Sequence, residues 1–338
     1  LSLEKMAQDT ADKIDIILRE KREEVHSMAG TFSLIYPSLR DSPLLDLTRL
    51  LNGFCFNHDV FDVLVVLESS GEIVAINSTD RNRAPLLPER LAQILRDNIR
   101  SYPEEKSVFD RSITGQSAVH DWYRSKLVGR LYDYQKEDVS QQYNIAISEP
   151  IWKPTTHEIE GVLIGVINWA YFQNILDNVE MDLANLDLGT GYAFMFAGDA
   201  NTIIAHKYRA NRQIEGSAGP LSSQNLYATR LVEDHGLKKL HDAILRKDHS
   251  CSYQFPKGND KISGLAPISE TSLGWIVGVG IDGSDIFRPI RKMSWWLAGV
   301  TVLLALLVVV FTVVVAHGIT IPVKNLIATA QTIAQGNF

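Results

Sequence analysis

From Leu297 to Ala316 the chain reads LAGVTVLLALLVVVFTVVVA, twenty residues without a single charge. At about 1.5 Å of rise per residue, a helix of that length spans about 30 Å, the thickness of a bilayer's hydrocarbon core. No other feature limits the fold so strongly. A helix apolar on every side needs either lipid around it or a protein core large enough to enclose it. The residues that follow are polar and amphipathic, which favours a transmembrane helix over 295–317 rather than a buried core helix. Trp295 and Trp296 stand where an aromatic belt would lie, with Arg288, Arg291 and Lys292 just outside it. Only Lys324 follows the span closely, so the flanking charges alone would place the large domain in the cytoplasm.

The remainder is ordinary for globular protein, with 45% hydrophobic and 22% charged residues, so most of it is expected to fold around real cores. The net charge of −7 is spread along the chain, and no basic stripe interleaved with aromatics marks a nucleic-acid partner. Cys55 and Cys251 lie far apart and form no metal or redox spacing. Both read as small buried hydrophobes or free thiols rather than a disulfide. The chain starts at Leu1 without a signal peptide and stops inside an unfinished helical pattern at Phe338. It reads as an excised segment with sequence missing at both ends.

Residues 1–37 carry a helical stripe: Leu3, Ala7, Thr10, Ile14, Ile17, Val25, Met28, Phe32 and Ile35, interrupted at Lys21 and ended by Pro37. One long helix, acting as a spine or dimer contact, is expected there. Two helices broken near Arg22–Glu24 are the alternative. Beyond it the chain says one thing twice. VLVVLESSGEIVAIN (63–77) and YAFMFAGDANTIIAHK (192–207) each read as strand, turn, strand. Each is followed by an irregular stretch and a closing strand pair, YNIAISEPIW with GVLIGVINW and DKISGLAPIS with GWIVGVGI. AYFQNIL and SDIFRPI then read as short helices, and 178–191 as the linker between two modules of one design.

This order of parts resembles the double Cache family of extracytoplasmic sensor domains, found in bacterial chemoreceptors, sensor histidine kinases and cyclic-di-nucleotide enzymes. HDWYRSKL (120–127), SEPIW (148–152), GVLIGVINWAYFQNIL (161–176), GYAFMFAGDANTIIAH (191–206) and APISETSLGWIVGVGI (266–281) carry the resemblance. It implies an α+β fold in which the long N-terminal helix (1–37) precedes two tandem PAS-like (Cache) modules, each an antiparallel sheet flanked by helices. The membrane-distal module would be 38–185 and the membrane-proximal one 186–290. The transmembrane helix and a HAMP-type helix (318–338) would follow. In that last stretch Pro322 suits a first helical turn, and Val323, Leu326, Ala330 and Ile333 step like a coiled-coil seam. A HAMP start is cytoplasmic, so the resemblance places the large domain outside, against the charge count. A HAMP seam buries its stripe only against partner helices, which implies a homodimer.

The resemblance also implies a small ligand in the distal module, under a loop-helix carrying an Arg-x-Trp-Tyr pattern, with an aspartate near the closing strand for an ammonium group. Here the matching positions are His120, Trp122 and Tyr123, with Asn168 in place of the aspartate. Asp121, Tyr143 and Trp169 are added from proximity in sequence. Neutral imidazole cannot reproduce a bidentate guanidinium–carboxylate pair, and asparagine does not neutralise an ammonium. The expected ligand is therefore an organic acid or a neutral metabolite rather than an amino acid. Arg124, Lys126 and Arg130 are possible sources of positive charge. Trp122 and Tyr123 also suit a plain aromatic core.

Other signals carry less. Gly278, Gly280 and Gly283 spell a dinucleotide fingerprint, but the acidic residue it needs would fall in the membrane helix. His235, His241 and His249 have no zinc-type spacing, Glu158 and Glu160 read as a hairpin turn, and no cofactor is implied. Asn77-Ser-Thr has the form of a glycosylation sequon only. A ligand-sensing receptor, foremost a chemoreceptor, is thus preferred over a sensor kinase or diguanylate cyclase input region. A membrane-tethered hydrolase comes last, because no nucleophile–base or metal constellation can be assembled.

Overall fold

The computed structural model describes residues 2–58, 60–80, 83–132, 139–209, 225–256, 258–269 and 273–334. The side chains of Arg288, Arg291, Lys292 and Ile333, named above for the membrane flank and the seam, lie outside the described set. The chain divides into two compact units, Leu1–Asp282 and Gly283–Phe338.

The first unit opens with α1 (Leu3–Ile35), whose first turn is capped by the Ser2 hydroxyl accepting from the Lys5 amide at 3.4 Å. Ala7, Thr10, Ile14, Leu18, Val25, Met28 and Phe32 are buried along one face. Leu18 therefore takes the place expected of Ile17, and Ile35 stays exposed. The helix runs unbroken through Arg22–Glu24, where Lys21 and Glu24 pair at 2.7 Å, so the two-helix alternative falls away. Its 33 residues span about 50 Å at the α-helical rise.

After α2 (Leu44–Asn57) come β1 (Phe61–Glu68), β2 (Ile73–Ile76), α3 (Pro88–Ile94), α4 (Pro103–Ser112), β3 (Ala118–Tyr123), α5 (Lys126–Leu131), β4 (Asn144–Trp152), β5 (Ile159–Asn168) and α6 (Ala170–Asn185). Both α3 and α4 begin on proline, where the missing N–H is one the helix would leave unpaired anyway. Then follow β6 (Tyr192–Phe196), β7 (Ile203–Ala205), α7 (Lys238–Leu245), β8 (Ser250–Gln254), β9 (Asp260–Pro267) and β10 (Ile276–Asp282). The two antiparallel sheets have orders β2-β1-β5-β4-β3 and β7-β6-β10-β9-β8, the same topology repeated.

Three local expectations are corrected. HDWY lies on the edge strand β3, not in a loop-helix, and the helix starts only at Lys126 behind the Ser125 cap. AYFQNIL opens a helix that continues to Asn185 and absorbs part of the expected linker. SDIFRPI runs without interruption into the apolar helix.

Each sheet has two unlike faces because alternate side chains point to opposite sides. In the first sheet Val63, Val65, Leu67, Val162, Ile164 and Val166 face α3, α4 and α5, packing with Ile94, Val108, Leu127 and Val128. In the second, Tyr192, Phe194, Phe196 and Leu265 pack with Leu240 and Ile244 of α7. α1 packs against β4 and β5 of the first sheet and against β9 and β10 of the second. At β9 the approach is so close that a Cβ on Gly264 would lie 2.3 Å from the Leu3 carbonyl. Gly278 has a packing reason too, since a Cβ there would enter the Phe194 ring at 2.1 Å. Gly280 is packed too, with Ser263 Oγ 2.5 Å from a Cβ placed there, so these two fingerprint-like glycines are sheet-packing residues.

The second unit contains α8 (Gly283–Val315), a π-helical turn over Ala316–Thr320 and α9 (Ile321–Ala334). Within it Met293–Gln331 is long and apolar enough to cross a membrane, with mean hydropathy reaching 3.0 and none of that stretch buried. Pro322 has no N–H to offer the Gly318 carbonyl, and the wider π turn precedes it, as at other breaks in the i→i−4 ladder.

Candidate ligand-binding site

The strand register places four residues in one row across the first sheet. Tyr123 of β3 pairs with Asn144 of β4, Asn144 pairs with Asn168 of β5, and the Asn168 amide donates to the Val60 carbonyl at 3.1 Å just ahead of β1. The adjoining row runs His120–Ala146–Val166–Val63 and is apolar except at its edge. The strand ends beneath α3, α4 and α5 therefore form a polar margin on an otherwise hydrophobic face.

Asp62 is the centre of that margin and is only 5% exposed. Its Oδ2 accepts from Asn168 Nδ2 at 2.7 Å and Asn144 Nδ2 at 3.2 Å, while its backbone carbonyl accepts from the Tyr132 hydroxyl at 2.7 Å. Asn168 is completed by the Ala170 amide, which donates to its Oδ1 at 2.8 Å. Asn144 also donates to the Ile167 carbonyl at 3.3 Å, an arrangement that fixes its amide orientation because both neighbours are acceptors. Its Oδ1 is then buried with no donor among the described residues.

Beside this row stands Glu105 of α4, fully buried. Its Oε1 accepts from the Tyr123 hydroxyl at 3.0 Å and from the Ser125 hydroxyl, which also caps α5 by accepting from Val128 N at 3.0 Å. Its Oε2 has no partner among the described residues. Burial raises the carboxyl above its ordinary range, against the opposing effect of the Ser125 hydrogen bond. His120 lies against Tyr123 with ring centres 4.7 Å apart, and its Nδ1 stands 2.7 Å from the Asp121 carbonyl. A carbonyl oxygen can only accept, so Nδ1 is the donor in that contact.

The six residues singled out from sequence are not gathered in one place. Tyr123, Asn168 and His120 belong to the face just described. Trp122 turns away from Tyr123 and stacks on Tyr143 at 4.0 Å, and Tyr143 in turn stacks on Tyr227 at 6.0 Å. Trp122 also meets Trp169 edge to face, and Trp169 meets Trp275 in the same way at 5.2 Å. These rings form an aromatic junction between the two sheets. Asp121 locks it: Oδ1 accepts from the Trp275 indole at 2.7 Å and from the Trp122 amide at 2.7 Å. The Trp122 indole nitrogen is buried and has no partner among the described residues.

Sequence reasoning missed Asp62, Glu105, Asn144 and Ser125. The duplicated hairpin could have pointed to Asp62, as an acid at the second position of a strand buried along nearly its whole length. Nothing local marks Glu105, which sits in a helix's first turn where acids are usually solvated.

The second module carries a cleft of about 710 Å³ lined by residues including Asp234, His235, Lys239, Tyr253 and Asp260. Its half-buried and buried polar groups are satisfied: His235 bonds Thr229 at 2.9 Å and Tyr253 bonds Ser263 at 3.1 Å. It lacks the unmet acceptors of the first module.

Comparison with solved structures gives the same fold. The ligand-binding domain of the Pseudomonas fluorescens chemoreceptor CtaA, solved with L-serine, has TM-score 0.53 and 17% identity, covering 83% of this chain and 95% of that one. The domain of the Pseudomonas aeruginosa amino-acid chemoreceptor PctB, solved with L-Arg, has TM-score 0.51 and 16% identity, covering 84% and 95%. The domain of PctC from the same organism, solved with GABA, has TM-score 0.50 and 17% identity, covering 82% and 97%. No curated protein matches the chain. A sequence profile of the dCache_1 type, described as Cache domain, matches residues 1–290. With its repeated five-stranded sheets, its long leading helix and a following helix able to cross a membrane, this chain belongs to the Cache domain family.

Proposed function

We propose that the chain is the extracytoplasmic sensing and membrane-crossing region of a bacterial receptor, most closely of a chemoreceptor. One observation carries this: a Cache domain followed by a helix long and apolar enough to span a bilayer. The similar solved domains, each described as a chemoreceptor ligand-binding domain, support the chemoreceptor form over a sensor kinase or cyclase input. A small molecule binds in the first module (38–185), at the polar margin between the sheet and α3–α5. The second module (186–290) relays its effect, residues 295–317 cross the membrane, and 318–338 start a cytoplasmic HAMP helix that pairs in a homodimer. Within the folded unit, Asp121 and Trp275 offer the relay, because they tie β3 to β10. Occupancy alone does not signal; the ligand must favour one of two arrangements of that tie.

A metabolite panel against the full chain in lipid nanodiscs tests the proposal. At a hundredfold excess over Kd a ligand stabilises by about 2.7 kcal/mol, enough to raise Tm by about 5–10 °C in a domain of this size. Protection confined to a few compounds and to the first module in hydrogen exchange is expected. Protection of the second module alone would sink the assignment of the site.

A further inference from the structure

The second sheet ends on one side at β8, and that edge is unlike the other described edges. β2, β3 and β7 are each interrupted by a register shift against the neighbouring strand, a usual way of blunting an open edge. β8 pairs with β9 in unbroken register from Ser250 to Gln254, and its run SCSYQ holds neither a charge nor a proline. Its flanks fix which backbone groups are spent on that pairing. The Leu265 amide donates to the His249 carbonyl at 2.8 Å and the Phe255 amide to the Asn259 carbonyl at 3.0 Å. Bonding alternates along an antiparallel pair, so Cys251 and Tyr253 bond β9. Ser250, Ser252 and Gln254 therefore turn their N–H and C=O groups outward, where no described backbone group meets them. The side chains of these three are exposed, whereas those of Cys251 and Tyr253 are buried with α7.

The cleft of about 710 Å³ opens onto this strand, lined by Ser252, Tyr253, Gln254 and Phe255 and by Leu237 ahead of α7. Its two ends differ in charge. Asp260 stands opposite Gln254 in the register, and Asp234 adjoins His235, whose ring meets Phe255 at 5.6 Å. Both acids thus lie at the C-terminal end of β8. Lys239 lies toward the other end, its carbonyl 3.7 Å from Cys251 Sγ. We infer that the cleft takes a short extended peptide with free termini, added antiparallel to β8 as a sixth strand. Antiparallel addition sets the peptide's ammonium end beside Asp260 and Asp234 and its carboxylate end beside Lys239; parallel addition would reverse both pairings. Main-chain hydrogen bonds to Ser252 and Gln254 supply affinity with little regard to sequence. Alternate side chains meet the apolar wall of Leu237 and Phe255 or the open face. At about 3.4 Å per residue, Cys251 to Phe255 spans about 14 Å, the reach of about four residues. This site is separate from the one proposed above in the first module and does not depend on it.

Isothermal titration and residue-resolved hydrogen exchange of the full chain in nanodiscs test this with tetraalanine. At ten times Kd the peptide should slow exchange of the Ser252 and Gln254 amides about tenfold. Tetraalanine methylated on the amide nitrogen of residue 2, 3 or 4 should bind in alternation. Affinity should fall about tenfold where the amide faces β8 and change little where it faces away. Ser252→Pro removes an edge donor while leaving the β9 ladder intact, and should weaken tetraalanine at least about tenfold. Should that variant fail to fold, the methylated peptides still decide the matter. Acetylating the amino end or amidating the carboxyl end should each cost about two- to fivefold, the range of exposed ion pairs. Tetraalanine that does not bind, or that protects only the first module, overturns the inference and leaves the sensor proposal to its metabolite panel. Equal effects of methylation at all three positions overturn strand addition. Capping without loss at either end overturns the assigned strand direction.

Discussion

The two modules share one topology but treat their buried polar groups in opposite ways. Around Tyr192 in the second sheet the charges cancel in pairs. Lys207 faces Glu180 at 3.7 Å, Arg209 binds Asp177 at 2.7 Å, and Lys261 binds Asp282. The lysines also lie over the Tyr192 ring at 4.5 and 5.0 Å. His206 is buried beneath them and held well below its ordinary value, first by burial and then by Lys207 and Lys261. The first module has carboxyl and amide groups at the comparable strand ends and on α4, and Asn144 Oδ1 and Glu105 Oε2 find no partner among the described residues. The two copies of one fold thus carry different polar groups on their covered faces, acid–base pairs in the second and carboxyl and amide groups in the first. A fold is neutral about which copy binds; the polar side chains on its covered face decide.

The sharpest way to break this comparison is to unpair the second module. Lys261→Met leaves Asp282 without its cation and should cost about 3 kcal/mol in urea unfolding, the usual penalty for stranding one partner of a buried ion pair. Adding Asp282→Leu should restore most of that loss. No recovery in the double variant would show that the pair does not satisfy itself. A smaller change is expected where the modules meet. Trp275→Phe keeps the aromatic packing but removes the donor to Asp121, at a cost of about 1–2 kcal/mol by the same measurement. A loss near zero would mean that water replaces the indole.

In the first module, Glu105→Gln should alter stability by less than about 1 kcal/mol, because the partnerless oxygen is exchanged for another partnerless polar atom. Its mark should be on pH dependence. A buried carboxyl with a raised pKa binds protons more tightly in the folded chain than in the unfolded one. Its destabilising effect is therefore absent below 4.5 and grows as pH rises through the folded value. The variant should flatten that slope. His206 contributes in the opposite direction: its neutral form is favoured by folding, so stability is full above 6.5 and is lost as pH falls below it. His206→Gln should remove the acid-side loss. Two slopes of opposite sign, each erased by one substitution, would separate the modules on one denaturation curve.

Much of the architecture was legible in the chain. VLVVL and GVLIGVI are apolar runs too short for helices and bounded by turns, and they form central strands. The edge strands β2 and β7 were expected as second strands of the hairpins, but the edges β3 and β8 escaped notice. AVHDWY and SCSYQ are short and polar on one side, as edges tend to be, and nothing separates them locally from loop. The site was legible only in part. Tyr123 and Asn168 stand on its face, but a bulge between His120 and Tyr123 shifts the alternation and sends Trp122 to the other side. Asp62 and Glu105 acquire meaning only when β1 meets β5 and α4 meets β3, contacts between residues far apart in sequence.

That bulge has a consequence for how the strand behaves as a mechanical part. Trp122 and Tyr123 are neighbours along the chain yet occupy separate compartments, one joined through the aromatic stack toward Trp275 and the other bonded to Glu105. β3 is therefore a wall one residue thick, with furniture bolted to both sides. A turn of the Tyr123 backbone cannot be absorbed on its own side, because the adjoining peptide carries the indole with it.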